Sequence, residues 1–200
     1  MPFPPKTDRN AILSAALDEL SNCGIRNLSL RNIAATLGLA PNALYRYFSD
    51  RAALEGALAD EGARNLEMVL RRATREAEAA KRIRTMADAY LRFAKNNRNL
   101  YEVFMSFHTP DHAGSPRQSL WSFTVEQVQR ITGEALAAEA AVALWALLHG
   151  AATLAAGQVH GQNKPASGFE FGLNAWLLLA ETHSSAVSSP NSMKVSRKTK

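Results

Sequence analysis

The chain has 200 residues, 46% of them hydrophobic and 20% charged, a composition that suits a folded protein with a sizeable core. A net charge of +5 invites a nucleic-acid partner, while the single cysteine, Cys23, excludes an internal disulfide and a cysteine-built zinc site. The opening MPFPPKTDRN puts prolines where a secretory leader needs an unbroken apolar run, so a cytoplasmic protein is expected.

The first helix is expected from Asp8 to about Asn22, where Ile12, Leu13, Ala16, Leu17 and Leu20 recur at helical spacing and Gly24 suits a left-handed end. Ser29 caps a second helix with the stripe Leu30, Ile33, Ala34 and Leu37. Gly38 permits a tight turn, and Pro41 starts a short third helix from Pro41 to Phe48. Ser49 or Asp50 then caps a long, increasingly charged fourth helix.

Ile83, Met86, Ala87, Tyr90, Leu91 and Ala94 form the next apolar stripe, followed by Leu100, Val103, Phe104 and Phe107, with Tyr101 and Met105 widening it. HTPDHAGSP reads as a loop, and a helix from Arg117 to about Ile131 ends at Thr132–Gly133. The stretch from Ala140 to Asn163 carries no charge and approaches the length of a membrane span. It is rich in alanine and glycine, holds His149, Gln158 and His160, and lacks flanking basic clusters. A helix buried between other helices is therefore expected, with no membrane partner. A last apolar helix runs from Phe169 to His183, and residues 184–200 have the composition of a disordered tail.

Bulk charge is weak evidence for DNA binding here. Residues 1–60 hold six Lys/Arg and six Asp/Glu, whereas residues 61–100 hold ten basic against five acidic side chains. Placement is more telling. On the third helix Leu44 and Phe48, four apart, share the inward face, and Asn42, Tyr45 and Arg46 share another, with Tyr47 at the border. An amide, a phenol and a guanidinium on one face can bond phosphates and base edges.

The second and third helices, joined by a glycine turn and buttressed by the first, make a helix-turn-helix unit. NLSLRNIAATLGLAPNALYRYFSDRAAL, within residues 8–58, resembles the DNA-binding head of the TetR family of transcriptional regulators. The resemblance implies that Ser29 and Arg31, at the start of the second helix, reach the DNA backbone or a base. It further implies that Pro41, Asn42 and Ala43 lie at the reading end of the third, that Tyr45 bonds a phosphate with Arg46 and Tyr47 contacting DNA on the same flank, and that Arg51, at the start of the fourth helix, faces the phosphate backbone. Three departures stand out. Ala40 replaces the usual hydroxyl cap, Arg51 stands where lysine is usual, and Asn42 is larger than the common residue.

The resemblance also implies an all-α fold: a three-helix head over residues 1–58, a helical ligand-binding and dimerisation body over 59–183, and the tail. A homodimer would form through helices near 136–159 and 169–183, enclosing a pocket for a small-molecule inducer. WALLHG, Trp145 to Gly150, resembles the WHG-type subgroup of such bodies. Candidate pocket residues are Met86, Tyr90, Phe93, Phe104, Met105, Phe107, Trp121, Phe123, Trp145 and His149, although a Met/aromatic set at this spacing also serves as plain core.

The expected function is a homodimeric, ligand-responsive regulator, a repressor, which binds a pseudo-palindromic double-stranded operator and is released by inducer. The alternative is a helical small-molecule-binding protein or enzyme without DNA function. No Ser/His/Asp set, carboxylate pair or phosphate-cradling loop stands at suggestive spacing, so an enzyme is not expected and neither is a cofactor. His108, Asp111 and His112 lie in a proline-containing loop with no further ligand nearby, and no metal site is expected there.

Overall fold

Asp8 opens the first helix by accepting the Ala11 N–H at 2.8 Å, which satisfies one of the donors a helix start leaves over. The computed structural model describes residues 8–75, 78–107, 114–157 and 165–187, and every regular element among them is helical. Helix α1 spans Arg9–Asn27, with Gly24 (φ 74°, ψ 169°) breaking it near its end. The glycine break falls where the sequence puts it, but a last helical turn follows it, so the element runs beyond Asn22.

Helix α2 spans Leu30–Thr36, and the Ser29 hydroxyl accepts the Asn32 N–H at 3.3 Å. Its end is a Schellman closure. Leu39 N–H donates to Ala34 O at 2.9 Å and Gly38 N–H to Ala35 O at 3.0 Å, with Gly38 at φ 66°. The third element differs from expectation: it is a 3-10 helix, Pro41–Arg46, rather than an α-helix reaching Phe48. Six residues leave little room for i→i+4 bonds, and the Ala40 cap offers no side-chain acceptor, so the tighter i→i+3 pattern prevails.

Helix α3, Arg51–Ala73, starts on Asp50, whose carboxylate accepts the Ala53 N–H at 2.7 Å. Helices α4 (Ala79–Asn96), α5 (Arg98–Ser106), α6 (Pro116–Thr132), α7 (Ala137–Gly157) and α8 (Pro165–Val187) follow. Gly133, at φ 79°, ends α6 as expected. Helix α8 starts four residues before Phe169, because Pro165 suits the first helical turn. It also continues past His183, so residues 184–187 of the expected tail are helical, and 188–200 lie outside the described residues.

The described residues divide into two compact units, one within Met1–Arg75 and Thr85–Phe123, the other within Glu76–Arg84 and Thr124–Lys200. In the first, Ile12, Leu13, Ala16 and Leu20 of α1 pack with Leu28, Ile33, Ala34, Leu44, Phe48, Leu54 and Leu58. This core does not close at residue 58. Val103 of α5 is buried within it, and Leu100 and Phe107 pack against it.

In the second unit α7 and α8 run antiparallel, as the contacts Trp176 with Ala140 and Gly172 with Leu147 require. The Trp176 indole donates to Ala140 O at 3.0 Å, and Leu147 lies so close to Gly172 that a Cβ there would stand 2.8 Å from its Cδ1. Helix α7 is not buried between helices of its own chain, contrary to expectation. Only 17% of its most apolar stretch is buried, although by length and composition that stretch could cross a membrane. Exposed Val142, Phe171, Leu178 and Leu179 leave a large apolar surface on this unit.

Candidate nucleic-acid interface

The 3-10 helix turns its sequence into two faces. Leu44 and Phe48 are buried in the head core, and Phe48 also lies under the Arg9 guanidinium at 4.7 Å. Pro41, Asn42, Tyr45 and Arg46 are exposed; Tyr45 is 52% and Tyr47 36% accessible, large values for tyrosines next to a core. Three residues per turn set Asn42 in one row with Tyr45, and half-buried Ala43 in the next with Arg46. The structure thus leaves an amide, a phenol and a guanidinium exposed on two adjacent rows, which together make a polar ridge, where the sequence put all three on one face.

Ser29 and Arg31 stand at the start of α2, Ser29 half-buried and Arg31 exposed. The Ser29 oxygen already accepts from Asn32, and its hydroxyl hydrogen is left to donate outward. The Asn32 amide bonds Glu19 at 2.9 Å, which fixes α2 against α1.

Arg51 has a role the sequence did not disclose. Its guanidinium donates to Ile25 O at 2.7 Å and Leu28 O at 2.9 Å, and its Nε bonds Glu55 at 2.6 Å. These bonds use three of the five N–H groups, and the side chain stays 46% exposed, so two donors are left for a phosphate.

The expected ligand residues are scattered in role. Met86, Tyr90, Phe93, Phe104 and Phe123 are buried, while Met105, Phe107, Trp121, Trp145 and His149 are half-buried. Phe107 packs on the head core, the Phe104 ring lies under Arg117 at 4.6 Å, and Phe123 lies under Arg71 at 4.3 Å. A cleft of about 460 Å³ along α3 is lined by Arg64, Glu67, Met68, Arg71, Arg72 and Arg75, none of them in the expected set.

Tyr101, read from the sequence as part of an apolar stripe, proves to be the partner of Tyr90. Their hydroxyls stand 2.9 Å apart and their rings meet edge to face. Burial raises both phenol pKa values above the ordinary range; the neighbouring Tyr101 raises that of Tyr90 further, whereas the shared bond partly offsets the rise at Tyr101. The Cys23 thiol is half-buried and bonds Glu19 O at 3.0 Å. His108, Asp111 and His112 lie outside the described residues, among which no group of three or more metal-ligating side chains gathers.

Comparison with known proteins covers both parts of the chain. Residues 12–58 match the family described as bacterial regulatory proteins, tetR family, and residues 83–175 match the family of tetracyclin repressor-like C-terminal domains. An uncharacterized HTH-type transcriptional regulator of Haemophilus influenzae is 31% identical over 99 residues, 48% of either chain, so the match spans about half the length of that curated relative. A protein of unknown function from Rhodococcus sp. RHA1 superposes with a TM-score of 0.75 at 28% identity, over 89% of this chain and 97% of that one.

Two further structures share the fold. One, described as a possible TetR family transcriptional regulator from Streptomyces coelicolor A3(2), is 22% identical over 88% of this chain and 99% of its own, with a TM-score of 0.68. The other, a TetR variant from Acinetobacter baumannii AYE in complex with minocycline, is 20% identical over 88% and 98%, with a TM-score of 0.67. A head with this exposed ridge, joined to a matching C-terminal domain in one helical chain, places the protein in the TetR family of bacterial transcriptional regulators.

Proposed function

We propose that the protein is a homodimeric, ligand-responsive repressor that binds a pseudo-palindromic operator and releases it when a small molecule occupies the body. The observation that carries the reading is the exposed ridge of Asn42, Tyr45 and Arg46 on an element whose Leu44 is buried, with Phe48 buried just beyond its end. Direct contacts would come from Ser29, Arg31, Pro41, Asn42, Ala43, Tyr45, Arg46, Tyr47 and Arg51. Such a regulator works in the cytoplasm and is not an enzyme.

In a dimer each head offers its ridge to one half-site, and the two ridges must stand about 34–36 Å apart, or one further turn. An inducer shifts that spacing only through a higher affinity for the non-binding arrangement. The apolar surface left on α7 and α8 supports a dimer, since a second copy is the partner that buries an identical face. The ligand-bound Acinetobacter baumannii relative supports a small-molecule site in the body.

The test is gel retardation of a duplex recovered by in vitro selection. Replacing Tyr45 and Arg46 together with alanine is expected to abolish the retarded band while sedimentation still reports a dimer. Retention by the double variant would remove the ridge from the interface.

A further inference from the structure

The carbonyls that end α1 are held from two sides. Before Gly24, the Asn99 side-chain amide of α5 donates to Leu20 O at 3.0 Å and Ser21 O at 3.1 Å. After it, Arg51 of α3 donates to Ile25 O and Leu28 O. Gly24 itself, at φ 74° and ψ 169°, holds a conformation essentially confined to glycine. The last carbonyls of a helix lack partners within it, and here side chains 78–79 and 23–26 residues away in sequence satisfy them.

We propose that Asn99 and Arg51 are positioning residues for DNA reading, a double clamp that fixes how α1 and the reading ridge are carried on α5 and α3. The proposal rests on the repressor function given above. Both N–H groups of the Asn99 amide are directed at carbonyls, and its Oδ1 lies 3.6 Å from where a Gly24 Cβ would stand. The amide therefore sits against the break itself.

Helix α5 is in turn gripped elsewhere. Arg117 donates to the carbonyls of Phe104 and Phe107 at its end, Phe104 packs on Gly62 of α3, and Tyr101 bonds Tyr90 of α4. A shift of α5 thus reaches α1 through two directional bonds, which tolerate little change of angle, as well as through apolar contact.

The experiment uses the full chain and the duplex recovered by selection with the wild type. Asn99→Asp keeps the shape but turns the two donors into acceptors facing carbonyls. Affinity for the selected duplex is expected to fall roughly tenfold or more, the scale of one or two lost hydrogen bonds, while affinity for a random duplex stays within about twofold. Hydrogen exchange at residues 20–28 should rise, and Asn99→Gln, which keeps the donors, should recover part of the discrimination.

Equal affinities of wild type and Asn99→Asp for the selected duplex would overturn the proposal. So would a parallel fall for both duplexes, since that marks a residue needed only for stability. Should Asn99→Asp fail to fold, the ratio for Asn99→Ala decides in the same way. A wild type that selects no sequence would refute the repressor reading itself, and with it this inference.

Discussion

Gly62 of α3 lies directly under Phe104 of α5: a Cβ on Gly62 would stand 2.9 Å from the Phe104 Cβ and 3.4 Å from Leu100 O. Neither neighbour is the free end of a flexible side chain, so the helices themselves would have to separate. Gly62→Ala is expected to destabilise the protein by about 1–3 kcal/mol despite alanine's better helix propensity. Gly168→Ala on α8, which meets nothing within 4 Å, is expected to stabilise by about 0.5–1 kcal/mol. Urea midpoints check both, and a neutral Gly62→Ala would show that α3 and α5 are not held at this distance.

The Tyr90–Tyr101 pair makes a prediction about alkaline pH. Both phenols titrate higher in the folded chain than the ordinary value of about 10. Above that value the unfolded chain loses these protons and the folded chain keeps them, so their contribution to stability is complete below about pH 10 and declines as pH rises beyond it. Urea midpoints between pH 8 and 11 should fall at the alkaline end. Tyr90→Phe, although less stable at neutral pH, should show a shallower fall, and an unchanged slope would deny the pair this role.

Much of the architecture was legible because local chemistry fixed it. Asp8, Ser29 and Asp50 each offer an oxygen to a helix start, and Gly24, Gly38 and Gly133 each take a positive φ that other residues avoid. The ridge was legible for a related reason, since the alternation of Leu44 and Phe48 with polar-tipped residues admits one burial pattern. The 3-10 form of that element was not, because helix periodicity over six residues does not separate 3.0 from 3.6 residues per turn.

What the sequence hid were partnerships across long separations. Asn99 looks like an ordinary polar residue beside an apolar stripe, and its partners lie 78 and 79 residues earlier. Tyr101 sits at a stripe position, and only the packing of α5 on α4 reveals that its hydroxyl meets Tyr90. Helix α7 misled for a different reason. Apolar composition says that a face will be covered and not whether the cover comes from the same chain, and here the chain covers only one side.

The apolar surface of the second unit predicts an oligomer that charge can dissolve. Phe171, Leu178 and Leu179 are 78%, 64% and 60% accessible, so acidic replacements there should shift the stability of a lone chain by less than about 0.5 kcal/mol. In a dimer the same side chains would be buried against a partner, and a carboxylate there is costly. Phe171→Glu with Leu178→Glu is expected to sediment as the 21.8 kDa monomer, the wild type at twice that mass. Equal masses for the two proteins would move the interface off this face.

Ala40 offers a test of which way the reading element faces. It precedes the 3-10 helix with extended backbone (φ −67°, ψ 141°), is exposed, and gives no side-chain bond to the helix start. Ser or Asp at this position would accept a free N–H of the first turn, so Ala40→Ser and Ala40→Asp should each stabilise the head by about 0.5–1 kcal/mol. Their effects on DNA should diverge. The serine hydroxyl can also donate to a phosphate and should tighten binding, whereas the aspartate brings a negative charge to a phosphate-lined groove and should weaken it. Two caps alike in thermal stability and opposite in DNA affinity would place Ala40 at the DNA surface. Parallel changes in both quantities would mean that the start of this helix points away from the groove.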